Sequence, residues 1–177
     1  LGFGMEAVLA NDLHLGKSIH SAGCREPLAS IAEAVAMSAD EVVWFPLPLV
    51  LAAGGFVEAY AGWEFFGDVC FLAFFEQTLK FVFRRRRPLY AKQGSFYCLP
   101  GEWYSFPSGH TMRAAFFCPM LPRYLSWSPA PATMAVWAVL VAWSRVAKGR
   151  HFPLDVLCGF MLGFVVGSFV SRVDSEL

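Results

Sequence analysis

Long apolar runs separated by short charged clusters dominate the chain. A helix crossing a hydrocarbon core of ~30 Å needs about 20 mostly apolar residues, with 17 to 25 the usual range. Five segments approach that length: Val42 to Val57, Trp63 to Phe83, Thr111 to Leu125, Ala132 to Ala147 and Val156 to Ser171. The second carries Asp68, Glu76 and Lys80, and the third is interrupted by Pro119 and Pro122. Ahead of them, Leu28, Ile31, Ala32, Val35 and Ala36 recur at helical spacing, with Glu33 and Asp40 off that stripe, which predicts an amphipathic helix. Residues 1–25, with Gly2, Gly4, Gly16 and Gly23, read as a short interfacial element. The pattern predicts one membrane-embedded domain over residues 1–177. It consists of an N-terminal interfacial and amphipathic segment over 1–41 and an all-α polytopic transmembrane helical bundle of about five spans over 42–171.

Composition sharpens this reading. The chain is 56% hydrophobic, with a mean hydropathy of +0.48, above the roughly 45–50% apolar content of soluble domains. Fourteen basic and 14 acidic residues cancel, so no global field recruits nucleic acid, and no basic tail is present. The five cysteines are scattered and odd in number, with three inside apolar runs. They read as buried thiols rather than as a disulfide framework or a zinc site. The sequence begins at Leu1 with no signal-peptide pattern, which reads as a truncated or processed form.

Charge is therefore local, and helices that alternate direction dictate where it goes. Lys80 and Arg87 end the second span, Pro107 to His110 begin the third, Ser144 and Arg145 end the fourth, and His151 and Asp155 begin the fifth. All are expected at one membrane face.

Each segment has a chemical and a plain reading. "KFVFRRRRP", Lys80 to Pro88, is either an anion-binding cluster or an interfacial anchor with Lys80 paired to Glu76 one turn away. "SFPSGH" offers Ser108 as an N-cap and Gly109 as a point of close backbone approach, an anion cradle or an ordinary helix start. In "SRVAKGRHFPLD", Pro153 suits the first helical position, leaving His151 just outside the helix and Asp155 in its first turn, able to reach back towards the imidazole. That is an oriented nucleophile or a simple helix cap.

Together the three segments read KxxxxxxRP, PSGH and SRxxxxxHxxxD, and the chain resembles the type 2 phosphatidic acid phosphatase (PAP2) family, whose signature is those motifs in that order. "RRRRP" and "YSFPSGHTMRAA" are similar to the subgroup acting on polyisoprenoid diphosphates such as presqualene diphosphate. The resemblance implies a membrane lipid phosphatase that needs no metal or other cofactor. It assigns His151 as the nucleophile that becomes phosphohistidine, Asp155 as its orienting carboxylate and His110 as the acid for the leaving oxygen. Lys80, Arg87, Arg145, Ser108 and the Gly109 N–H would hold the phosphate oxygens. Positioning and charge balance are what phosphoryl transfer requires.

The expected partners are a lipid phosphate substrate and membrane lipids, without nucleic acid; the sequence does not fix oligomeric state. The alternatives are a phosphatidate, lysophosphatidate or sphingoid-phosphate phosphatase of the same family, a soluble relative, a non-catalytic lipid-binding protein of that fold, or a transporter. Arg84, Arg85 and Arg86 are expected to contact lipid headgroups in preference to a second phosphate. Arg113, Lys148 and Arg150 are left outside the site, and Trp103 and Tyr104 are read as an interfacial belt. The stretch from Leu89 to Phe106 is long enough for a lid. The excess of Lys and Arg around the motif face points to the cytosolic side, in the endoplasmic reticulum or another internal membrane.

Overall fold

The computed structural model describes residues 2–90, 103–126 and 129–173. Its helices are α1 (Gly2–Gly23), α2 (Leu28–Ser38), α3 (Glu41–Trp44), α4 (Leu47–Ala53), α5 (Ala59–Phe83), α6 (Gly109–Tyr124), α7 (Pro131–Ala147) and α8 (Pro153–Val173). Among the described residues the extended pairing is a single antiparallel bridge between Arg86 and Tyr104. The chain is an all-α bundle, as the apolar pattern required. Residues 91–102 of the expected lid lie outside the described residues.

Four of the five expected spans correspond to the continuous helices α5 to α8. Val42 to Val57 does not form one helix. Asp40 caps α3 by accepting a hydrogen bond from the Val42 N–H at 3.0 Å, Pro46 interrupts the ladder because it has no N–H, and α4 ends at Ala53. The segment becomes long and apolar enough to cross a membrane only when α2–α3 and α4 are joined, and the two parts meet at a bend of 65°.

Among the described residues, by length and composition alone, α8 is the one unbroken helix that qualifies, and the bent pair makes a second. α7 is apolar but 17 residues long. α5 has the length, at 25 residues, but carries Glu64, Asp68, Glu76 and Lys80. Those charges point inward to partners: Glu76 and Lys80 are buried, and Asp68 accepts the Tyr124 hydroxyl at 2.6 Å. Phe71, Phe74 and Phe81 of α5, with Met161, Phe164 and Phe169 of α8, stay exposed on the outside, as a lipid-facing surface demands.

α6 lies at the centre, buried along most of its length. Gly159, Gly163 and Gly167, four residues apart, put one bare stripe of α8 against its backbone. A Cβ at Gly159 would stand 2.7 Å from the Ser108 carbonyl oxygen, and at Gly163 or Gly167 it would collide with the carbonyls of Met112 or Phe116. Small residues at this spacing let two membrane helices touch backbone to backbone. α1, expected to be a short interfacial element, is a 22-residue helix seated on α7 and α8. A Cβ at Gly23 would meet the Ala147 Cβ at 2.5 Å, and one at Gly16 the Pro153 Cδ at 3.2 Å.

Gly163→Val must therefore part α6 from α8. We expect it to lose at least the ~1–3 kcal/mol typical of overpacking, read as a lower thermal midpoint in detergent. Gly67→Ala, where an added Cβ meets nothing within 4 Å, should leave that midpoint unchanged or slightly raised.

Candidate active site

The ends of α5 and α7 and the starts of α6 and α8 meet at one end of the bundle. Lys80 Nζ lies 2.6 Å from Glu76 Oε1, the pair expected from their spacing, and both side chains are almost fully buried. Glu76 Oε2 faces Arg113 Nη2 at 3.5 Å. Arg113, set aside in the sequence analysis, proves to be a buried strut that also reaches Glu41 Oε1 and the Ala39 carbonyl, each at 2.8 Å. Gly109 packs directly on the Glu76 carboxylate, which a Cβ would strike. Its bare backbone thus makes room for this charge network.

Beyond α5 the chain turns through Arg84, a left-handed C-cap with φ 48°. The turn lets the Arg86 bridge to Tyr104 form and brings Ser105 alongside, its N–H on the Arg85 carbonyl at 2.8 Å. Arg85 does not face lipid headgroups. Its guanidinium joins Asp155 Oδ1 and Asp12 Oδ2, each at 2.6 Å, and stacks 4.1 Å above the Phe152 ring. The reason is that two buried carboxylates, Asp155 in the first turn of α8 and Asp12 on α1, outcompete solvent for that one cation. Arg87 is buried and donates to the Arg150 carbonyl at 3.2 Å. Beside it opens a groove of about 530 Å³ lined by Lys17, Arg86, Arg87, Leu89 and Phe152, among others.

Ser108 occupies the N-cap position of α6, but its hydroxyl turns to Thr111 Oγ1 at 3.1 Å instead of capping a backbone N–H. The Ser108 N–H bonds the Asp155 carbonyl at 3.1 Å, which joins the second motif to the third through the backbone. Pro153 is the first residue of α8, as its ring predicts. His151, 2% exposed, contacts the Ser105 carbonyl through Nδ1 at 2.7 Å. A carbonyl can only accept, so Nδ1 carries the proton and Nε2 presents its lone pair.

Asp155 is fully buried beside this ring, but it does not hold the ring by a hydrogen bond. Oδ2 stands 3.9 Å from Nδ1, beyond hydrogen-bond length, and accepts the Phe152 N–H at 2.8 Å. The backbone of Ser105 orients the imidazole, and Asp155 supplies charge next to it.

His110 Nε2 lies 3.4 Å from Asp40 Oδ2, a partner supplied by the turn between α2 and α3. The Arg145 guanidinium is within electrostatic reach of both imidazoles, which gathers the two histidines around one cation. Burial above all, then the positive charges of Arg87, Arg145 and Lys80, hold the His151 imidazole well below its ordinary value of 6.5. His20 is structural, its Nδ1 against the Ala147 carbonyl at 2.7 Å. Among the described residues no three His, Cys, Asp or Glu side chains gather where one metal ion could be held.

The structure thus brings the sequence-predicted Lys80, Arg87, Ser108, Gly109, His110, Arg145, His151 and Asp155 to one end of the bundle. It adds Asp12, Asp40, Glu41, Arg85, Ser105 and Arg113. For Asp12 the only signal was an acid within the mostly apolar stretch "MEAVLANDLHLG".

Comparison with known proteins bears on this arrangement. Residues 61–177 match the PAP2 superfamily. Over 148 residues the chain is 33% identical to phosphatidylglycerophosphatase B of Bacillus subtilis (strain 168), covering 75% of this chain and 70% of that protein. It is 32% identical over 104 residues to an undecaprenyl-diphosphatase of Sulfolobus acidocaldarius, covering 56% of this chain and 48% of the relative. The crystal structure of the first transmembrane PAP2 type phosphatidylglycerolphosphate phosphatase from Bacillus subtilis superposes with a TM-score of 0.80 at 28% identity, over 96% of this chain and 87% of that one.

Two outcomes follow from the geometry. Glu76→Ala, which strips a shared carboxylate from Lys80 and Arg113, should cost ~3–5 kcal/mol, measured as a lower unfolding midpoint in detergent. Because the depressed imidazole stays neutral as pH falls through 6.5, a step that needs neutral His151 loses rate only at lower pH. The acid limb of kcat/KM, corrected for titration of the substrate phosphate, should lie below pH 6.5.

Proposed function

Because the chain belongs to the PAP2 superfamily, it is a membrane-embedded phosphoric monoester hydrolase, and we propose that it removes phosphate from an isoprenoid (di)phosphate through a phosphohistidine intermediate. The observation that carries the reading is the His151 ring, with Nδ1 tied to the Ser105 carbonyl and Lys80, Arg87 and Arg145 gathered near it.

In the first step Nε2 attacks the terminal phosphorus in line, an N–P bond forms, the P–O bond to the leaving group breaks (the anhydride bond of a diphosphate, the ester bond of a monophosphate), and His110 gives its proton to the departing oxygen. Lys80, Arg87 and Arg145, with Ser108 and the Gly109 N–H, balance the equatorial oxygens, where fixed donors in a low-dielectric site contribute most. Asp40 is the carboxylate that faces His110 while it carries that proton. Asp155 offsets the positive charge that develops on the phosphorylated ring. Water then attacks phosphorus, His110 takes its proton, and the N–P bond breaks to release inorganic phosphate.

The isoprenoid reading is supported by the "RRRRP" run and by the undecaprenyl-diphosphatase relative. The groove of Lys17, Arg86 and Arg87 offers cations for a second phosphate. A glycerolipid phosphate is the second reading, favoured by the likeness to phosphatidylglycerophosphatase B. The cytosolic rim of an internal membrane, such as the endoplasmic reticulum, is supported by the excess of Lys and Arg around the site over the far end, which carries Arg123 and Arg172.

Phosphate release from farnesyl diphosphate, presqualene diphosphate, phosphatidate and lysophosphatidate, measured on purified protein in detergent, tests the reading. The isoprenoid diphosphates should turn over at least about tenfold faster in kcat/KM, a difference of ~1.4 kcal/mol in transition-state binding. His151→Ala should abolish turnover on every substrate and His110→Ala should nearly do so, by about 10²–10⁴-fold as for loss of a general acid, with both variants still folded. Near wild-type activity in His151→Ala would remove the phosphohistidine.

A further inference from the structure

Asp12 sits one helix away from the chemistry, yet it is bound into it on both sides. Its side chain is 2% exposed, deep enough that an unpaired carboxylate would be strongly disfavoured. Oδ1 accepts the Leu154 N–H at 2.8 Å, a first-turn donor of α8 next to Asp155. Oδ2 meets Arg85 Nη2 at 2.6 Å, and the other end of the same guanidinium, Nη1, meets Asp155 Oδ1 at 2.6 Å. Three charges therefore lie in a row, carboxylate, guanidinium, carboxylate, and the row ends 3.9 Å from His151 Nδ1.

The arithmetic of that row has a purpose. Arg85 and Asp155 alone would sum to zero, and the carboxylate beside the imidazole would be largely cancelled. Asp12 restores one net negative charge. The other groups facing His151 are cations: Lys80 from α5, Arg87 from the segment after it and Arg145 from α7. The Ser105 carbonyl contributes a dipole, and the Tyr90 and Cys158 side chains lie near Asp12 and Asp155. A ring ringed by cations can accept a phosphoryl group, and the positive charge that comes with it, only if a counter-charge stands behind it.

We propose that Asp12, carried by α1, is a positioning residue for the phosphoryl transfer: it holds Arg85 and the first turn of α8 in place and supplies the charge that leaves Asp155 free to act on His151. This rests on the reading of His151 as nucleophile. It also gives α1 a part in catalysis, although that helix lies outside the three sequence motifs.

The test compares Asp12→Asn, Asp12→Asn/Arg85→Gln and Asp12→Glu with wild type, using phosphate release over a pH series and, independently of turnover, a ¹⁵N-histidine NMR titration of His151 assigned by its loss in His151→Asn. Removing the negative charge disfavours imidazolium. Asp12→Asn should therefore move the His151 titration and the acid limb of kcat/KM down by about one pH unit, and lower kcat about tenfold or more with KM changed little. The double variant removes a cation as well, and its titration should return towards wild type. Should Asp12→Asn fail to fold, Asp12→Glu keeps the charge while displacing the hydrogen bonds, so kcat should fall with the titration unmoved.

A titration unmoved in Asp12→Asn, not restored in the double variant, or shifted equally in Asp12→Glu would overturn the proposal and reduce Asp12 to a structural contact. Wild-type protein that releases no phosphate from any lipid, while His151 titrates as described, would sink the phosphatase reading and leave the charge relation intact.

Discussion

A carboxylate buried among cations governs this molecule. Glu76, 2% exposed, lies between Lys80 and Arg113, and breaking a buried ionic group costs more than forming it gains, because the abandoned partner stays in a poorly solvating medium. The arrangement fixes the end of α5, holds α6 through Arg113, and reaches the α2–α3 turn through Glu41 and the Ala39 carbonyl. Gly109, whose backbone is proposed to face a phosphate, rests on that same carboxylate. Lys80, the cation proposed to meet substrate, is thus held in position by a charge of the opposite sign on its own helix.

Around that centre the site is assembled mostly by backbone. The Ser108 N–H on the Asp155 carbonyl joins two motifs, the Arg86–Tyr104 bridge delivers Ser105, and Ser105 holds His151 through its carbonyl. The glycine stripe of α8 makes this possible by bringing two helix axes close enough for main chain to meet main chain. Positions set in this way are insensitive to side-chain rotamers, which suits a reaction governed by alignment.

What could be read from the sequence divides along the same line. His151, Pro153 and Asp155 lie within one turn and its approach, so spacing alone predicted their placement, and alternation of helix direction predicted that Lys80, His110, Arg145 and His151 would share one end. The pairing of Glu76 with Lys80 followed from one helical turn. Contacts across the bundle were beyond reach. Nothing local says that Arg113 is buried under the site, that Arg85 turns inward to Asp12 and Asp155, or that Asp40 meets His110, because each depends on how distant helices pack. The Val42–Val57 span was misjudged for a different reason: hydropathy counts apolar residues and is blind to the missing N–H of Pro46.

One consequence of the Ser105 contact concerns isomers. Since the carbonyl occupies Nδ1, phosphorylation of this ring by the proposed route can yield only the product substituted on the nitrogen remote from the main chain. Because a peptide oxygen enforces that regiochemistry, replacing the Ser105 side chain would leave it in place. The choice between two chemically similar nitrogens is made by the course of the polypeptide itself.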